Sequence, residues 1–145
     1  MGGGILMSKI IIRGRRVAGG RAEGEALVAR ENFSGLGGLD RETGTIIDER
    51  HPLCGRSIRG KILVMNGAKG SSSFSKYFHQ IRLNGAGPLA ILFNVTTSKM
   101  VMGAIVSHVP AMTDFDKDPL SVIEDGDWVI VDADEGLIEV SKKSG

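Results

Sequence analysis

KILVMNGAKGSSSFS, residues 61–75, is the stretch on which the reading of this chain turns. Residues 61–65 form a short continuous apolar run, as expected of a strand covered on both faces. Asn66-Gly67 is a turn signal that stops it, and a glycine- and serine-rich loop follows. Beyond the loop the period changes: Phe74, Tyr77 or Phe78, and Ile81 recur at helical spacing, which predicts a helix over 75–83 with the serines at its first turn. A strand, a glycine loop and an opening helix leave backbone N–H groups free to meet a ligand. The helix macrodipole adds about half a positive charge at that end. The hydroxyls of Ser71, Ser72 and Ser73 suit a bound anion there, or a serine that must lose its proton. They equally suit a plain helix N-cap worth about 1 kcal/mol. The loop is not a nucleotide-type P-loop, because Lys69 precedes Gly70 instead of following it.

Working outward, residues 88–93 read as another buried strand, 99–107 as a second helix and 109–112 as a strand after it. Strand–helix–strand order implies a right-handed crossover and parallel pairing. Upstream, 8–16 reads as a first strand centred on Ile10, Ile11 and Ile12, and 24–30 as a second, ahead of the loop SGLGGLD at 34–40. His51-Pro52 breaks any regular element. At the C-terminal end, 128–132 and 137–140 alternate around Asp134-Glu135-Gly136, the signature of a hairpin. No internal repeat or linker interrupts this order. The expectation is one α/β domain over 1–145 with many short strands and two helices, residues 1–7 being a disordered extension. Met7 could be the true start, and the segment before it is too short for a signal peptide.

Composition bounds the function. A chain of 145 residues can bury roughly 68–70% of its unfolded surface, enough for a core without staples. Glycine, at 21 of 145 residues, is about twice its usual share of roughly 7%, which implies tight turns and close backbone approaches. Eighteen basic residues balance 17 acidic ones and no dense basic run occurs, so there is no electrostatic footprint for nucleic acid. No apolar run reaches the roughly 18 residues of a membrane span. The lone Cys54 rules out an internal disulfide and a self-sufficient zinc or iron–sulfur site, and a reducing, cytoplasmic compartment fits best.

Other polar residues read more simply. Lys69 could touch an anionic substrate or sit in water beside the loop. His51 is expected in a surface turn with a structural role, His79 and His108 exposed, and Cys54 as a small buried or half-buried thiol. The glycine loop at 35–38 could flex over a site, meet a partner, or be a plain turn. Asp114, Asp116 and Asp118 alternate like a calcium loop, but Pro119 and the missing Gly and Glu of that motif argue against one.

Six short motifs occur in order across about 120 residues: GEALV (24–28), GGLD (37–40), HPL (51–53), GKILV (60–64), GSS (70–72) and GAIV (103–106). As an ordered set they resemble the small subunit of the aconitase X family. The resemblance implies a swivelling β/β/α domain, like the mobile domain of aconitase, capping a large subunit that holds an iron–sulfur cluster and most substrate contacts. Family members place a catalytic serine just after the glycine of this loop, which implies Ser71 as base, with Lys69, Gly70, Ser72 and Ser73 facing substrate. Several relatives read Gly-Ser-Cys-Ser-Gly-Ser; here Ser72 replaces the cysteine and Phe74 the second glycine. The implied reaction is dehydration of a small phosphorylated hydroxy acid, (R)-5-phosphomevalonate, to trans-anhydromevalonate 5-phosphate in a mevalonate pathway to isoprenoids. Alternatives are dehydration of cis-3-hydroxy-L-proline on the same architecture, or a non-catalytic anion-binding module.

Overall fold

The computed structural model describes residues 9–30, 39–49, 51–67 and 74–142. Its strands are β1 Lys9–Arg13, β2 Arg15–Ala18, β3 Arg21–Ala29, β4 Ile62–Met65, β5 Ala90–Phe93, β6 Ala111–Thr113, β7 Trp128–Asp132 and β8 Leu137–Ser141. Its helices are α1 Phe74–Leu83, α2 Ser98–Val106 and α3 Pro119–Val122. The extension expected at 1–7 lies outside the described residues, as do the glycines at 35–38.

The eight strands form one sheet in the order β1-β8-β7-β3-β4-β5-β6-β2. Its centre is parallel: β3 pairs with β4, and, as strand–helix–strand order requires, β4 pairs with β5 and β5 with β6. Its flank is antiparallel, with β7 against β3, β8 against β7 and β1 against β8. The two edge strands, β1 and β2, are separated in sequence by Gly14 alone. The sheet must therefore curl until its edges meet, and the chain steps from one edge to the other through that glycine. A Cβ on Gly14 would lie 2.6 Å from the Phe115 ring, so no other residue fits without displacing it. The single strand expected at 8–16 is thus two strands on opposite edges.

Alternation along the strands creates two cores. Ala26, Val28, Ile62, Val64, Ala90 and Leu92 point into the curl, where they join Ile12, Val129, Val131, Ile138 and Val140. Their neighbours Leu27, Ala29, Leu63, Met65, Ile91 and Phe93 point the other way, onto Phe78 and Ile81 of α1 and Met100 and Ala104 of α2. Every residue of β4 and β5 is buried, which is why both read as unbroken apolar runs. Each fully buried side chain of this size contributes about 1.5–3 kcal/mol. The result is a β/β/α layering with α1 and α2 on one face.

Two helices were expected and a third is present. The one-turn α3 is capped by Asp118, whose side chain accepts from Leu120 N, with Pro119 at the start of the turn. Leu120, Val122 and Ile123 pack on the core inside the curl. The last parallel strand spans Ala111–Thr113, a shift from the expected 109–112, and the C-terminal hairpin forms as its turn signal indicates.

Candidate functional site

In a parallel sheet, ligands gather outside the carboxyl ends of the strands, where loops and helix N-termini meet. Here β3 leads out at Arg30, β4 at Asn66-Gly67, β5 at Asn94 and β6 at Asp114, all at one edge. The first two connections are those the sequence singled out. Residues 68–73 join Gly67 to α1 at this edge, and 31–38 join Arg30 to Leu39. Lys69, Gly70, Ser71, Ser72 and Ser73 themselves lie outside the described residues. What the structure describes is the frame that carries them.

That frame is fixed by hydrogen bonds at the root of the loop. Asn66 C=O accepts from Asn94 N at 3.0 Å and from Val95 N at 2.8 Å, extending the β4–β5 ladder one step past the strands. Gly67 is buried, and a Cβ there would lie 2.9 Å from Val95 Cβ, a branched carbon with little room to yield. The glycine lets the loop leave against the neighbouring strand. Asn94 Nδ2 donates to Asn66 Oδ1 at 3.3 Å and to Asp118 Oδ1 at 2.9 Å. The Asn94 amide, foremost among several donors, holds the Asp118 carboxyl below its ordinary pKa; slight burial opposes this, and Leu120 N, Ser121 and the Arg30 charge assist. Arg30 in turn donates to the carbonyls of Leu120 and Ile123, tying the end of β3 to α3. Thr97 caps α2 by accepting from Met100 N, and Thr96 bonds the buried Thr113 at 3.0 Å.

The remaining sequence candidates divide cleanly. His51 is buried, not on a surface turn as expected; its Nδ1 accepts from Leu53 N at 3.1 Å, a structural role within the turn. His79 and His108 are exposed, as expected. Cys54 is exposed, contrary to the expected buried or half-buried thiol, because it sits in the turn that His51 and Pro52 open. The three alternating aspartates are spoken for separately: Asp114 pairs with Arg15 at 2.7 Å, Asp116 accepts from Arg13 N at 2.9 Å, and Asp118 caps α3. Among the described residues no group of three or more His, Cys, Asp or Glu converges to hold a metal. With one thiol in the whole chain, these residues do not fit a resident iron–sulfur cluster. No described helix is long and apolar enough to cross a membrane.

A surface cleft of about 590 Å³ lies between Tyr77, Gln80 and Leu83 of α1 and the turn at 39–42. Arg41 already bonds Gln80 at 2.9 Å and stacks over Tyr77 at 5.3 Å, so its charge is engaged within the fold.

Sequence reasoning missed Asn66, Asn94 and Asp118 as a linked set. A signal for the two amides was available: both four-residue apolar runs, ILVM and AILF, are followed directly by Asn.

The fold and this edge have close counterparts. The chain is 41% identical over 139 residues to the phosphomevalonate dehydratase small subunit of Methanosarcina acetivorans, covering 96% of each. It is 42% identical over 124 residues to the protein of that name in Methanothermobacter thermautotrophicus, covering 86% of this chain and 95% of that one. The crystal structure of Thermococcus kodakaraensis aconitase X in its holo-form superposes with a TM-score of 0.84 at 38% identity, covering 92% of this chain and 99% of that one. The family model of the aconitase X swivel domain matches residues 11–140, and the chain belongs to that family.

Proposed function

We propose that this chain is the small, swivelling subunit of a cytoplasmic hydro-lyase that dehydrates (R)-5-phosphomevalonate to trans-anhydromevalonate 5-phosphate, working with a large subunit. The observation that carries this reading is the 41% identity, over 96% of both chains, to a small subunit named for that reaction. The chemistry divides naturally between two chains. A base must take a weakly acidic proton beside a carboxylate; the C–H electron pair becomes the new double bond, the tertiary C–O bond breaks with its pair on oxygen, and over a full turnover the hydroxide released and the proton removed make up one water. An iron–sulfur cluster, held by the large subunit, would assist that departure as a Lewis acid. This chain, lacking the ligands for a cluster, contributes the base.

We assign the base to Ser71, with Lys69, Gly70, Ser72 and Ser73 around the substrate. Free serine is far too weak an acid to ionise near neutrality. A water-poor pocket with convergent N–H donors, a helix N-terminus and the Lys69 ammonium is the environment that could stabilise its alkoxide. The loop's position supports the assignment: it connects the carboxyl end of β4 to the start of α1, where such donors gather. The other catalytic reading, dehydration of cis-3-hydroxy-L-proline, would use the same frame on a cyclic amino acid that carries no phosphate. Supplying both compounds to the complex reconstituted with its large subunit separates the two. Dehydration of phosphomevalonate alone is the expected result; turnover of hydroxyproline alone, or of neither, overturns the proposal.

A further inference from the structure

We propose that Asp118, acting through Asn94, locks the side-chain amide of Asn66 in one orientation, and that this makes Asn94 and Asp118 positioning residues for turnover. The inference rests on the reading that the loop beyond Asn66 carries the catalytic base. A side-chain amide can sit either way round unless its partners dictate otherwise. Asp118 dictates here, because its carboxylate only accepts. Its Oδ1 takes Leu120 N and Asn94 Nδ2, and its Oδ2 takes Ser121 Oγ. Asn94 must therefore present Nδ2, and the same nitrogen's second hydrogen meets Asn66 Oδ1. Asn66 is left with Nδ2 as its outward group, without a partner among the described residues. The polarity set by one carboxylate is thus passed across β5 to the residue immediately before Gly67. Displacement of about 1 Å in a reacting group can cost roughly 10²-fold in rate, so the loop's root is a sensitive place to hold in register.

The relay can be broken and reversed without removing the α3 cap. Asp118→Ser keeps a good N-cap, since Ser serves about as well as Asp there. Its hydroxyl can donate as well as accept, however, so the orientation of Asn94 is no longer imposed. Adding Asn94→Asp restores a donor–acceptor match between positions 94 and 118 with the polarity reversed. Asn66 must then donate Nδ2 inward and turn Oδ1 outward. In the complex with the large subunit, Asp118→Ser should lower kcat about 10- to 100-fold with KM changed less than about threefold. Hydrogen exchange at the Asn94 and Val95 amides should quicken. The double variant should recover the wild-type melting temperature and slow exchange but keep the low kcat. A purely structural relay would restore turnover together with stability in the double variant, and that result overturns the proposal. Unchanged kcat and exchange in Asp118→Ser also overturn it. If the unmodified complex fails to dehydrate phosphomevalonate, the functional reading falls separately. Exchange at Asn94 and Val95 then still decides whether Asp118 controls the loop root.

Discussion

Asp127 is fully buried, and its Oδ2 lies 2.6 Å from the ammonium of Lys142, the last residue that the structure describes. The same ammonium donates to Val122 O at 2.7 Å and sits 3.2 Å from Glu124 Oε1, while Asp127 also accepts from Glu124 N. One charged side chain near the C-terminal end thereby ties β8 to the segment joining α3 and β7. That segment in turn pairs with β3 through Asp127 O and Ala26 N.

Removing one partner of such a pair strands the other charge in the interior. Lys142→Met should destabilise the chain by about 3 kcal/mol, the low end of the range for breaking a buried pair, because Lys142 keeps 26% of its side chain in water. Adding Asp127→Asn removes the stranded charge and should recover part of the loss. Chemical denaturation of both variants checks this. A double variant no more stable than Lys142→Met shows that Asp127 does not need its counter-ion.

The same contacts set the pH range of stability. Burial opposes the Lys142 charge, but hydrogen bonds to Asp127 and Glu124 outweigh it and raise its pKa above the ordinary 10.5. A raised pKa means that stabilisation is complete below 10.5 and disappears as pH climbs through the folded value. Asp118 behaves oppositely: with its pKa held below 3.8, mainly by the Asn94 amide, its contribution is present above 3.8 and disappears as pH falls through the lower folded value. Melting temperature against pH should therefore show a fall beyond each limit. Lys142→Met should remove only the alkaline part attributable to this residue, and Asp118→Asn only the corresponding acid part.

Gly67 gives a test at the site itself. Gly67→Ala would place Cβ 2.9 Å from Val95 Cβ. Neither strand end can yield easily, since Asn66 O holds both Asn94 N and Val95 N. The variant should lose about 1–3 kcal/mol of stability, as over-packed sites do, and lose turnover by more than instability explains. Val95→Ala in the same chain should relieve both effects. Wild-type melting temperature and rate in Gly67→Ala would show that the loop root tolerates the displacement.

The parts of this fold legible in the sequence are those in which one physical constraint acts alone. Strands β4 and β5 are buried on both faces, so their apolar runs need no partner to be recognised. In α1 a buried stripe through Phe78 and Ile81 fixes the helical period. The break between β1 and β2 was hidden because Ile10, Ile11 and Ile12 look alike in sequence. Only Ile12 is fully buried, and the need for Gly14 arises from Phe115, a hundred residues away. Helix α3 is too short to show a period. Its Asp118-Pro119 start is a capping signal, but the alternating aspartates invited a comparison with a calcium loop instead. Cys54 was expected inside because thiols usually are, yet its turn leaves it at the surface. The Asn66–Asn94–Asp118 set escaped notice because its members come together only when β4, β5 and α3 meet at one edge.

Ser71 is the residue on which the proposed mechanism depends most directly. It is the first hydroxyl after Gly70, in the stretch that links the root at Asn66-Gly67 to α1. If it is the base, Ser71→Ala should reduce turnover by the roughly 10²–10⁴-fold typical of a lost general base, about 3–5 kcal/mol of barrier. Assembly with the large subunit and substrate affinity should change little, since the deleted atom is a single hydroxyl. Ser72→Ala and Ser73→Ala should each cost only about 1 kcal/mol, the usual worth of a binding or capping hydroxyl. All three variants can be compared in the reconstituted complex, with iron content measured for each so that cluster loss is not mistaken for loss of the base. Near-normal turnover in Ser71→Ala with collapse in Ser72→Ala or Ser73→Ala would move the base along the loop by one or two residues. Full activity in all three would exclude a serine base, and the proton would have to go to a group on the large subunit, leaving this chain to bind and orient the substrate.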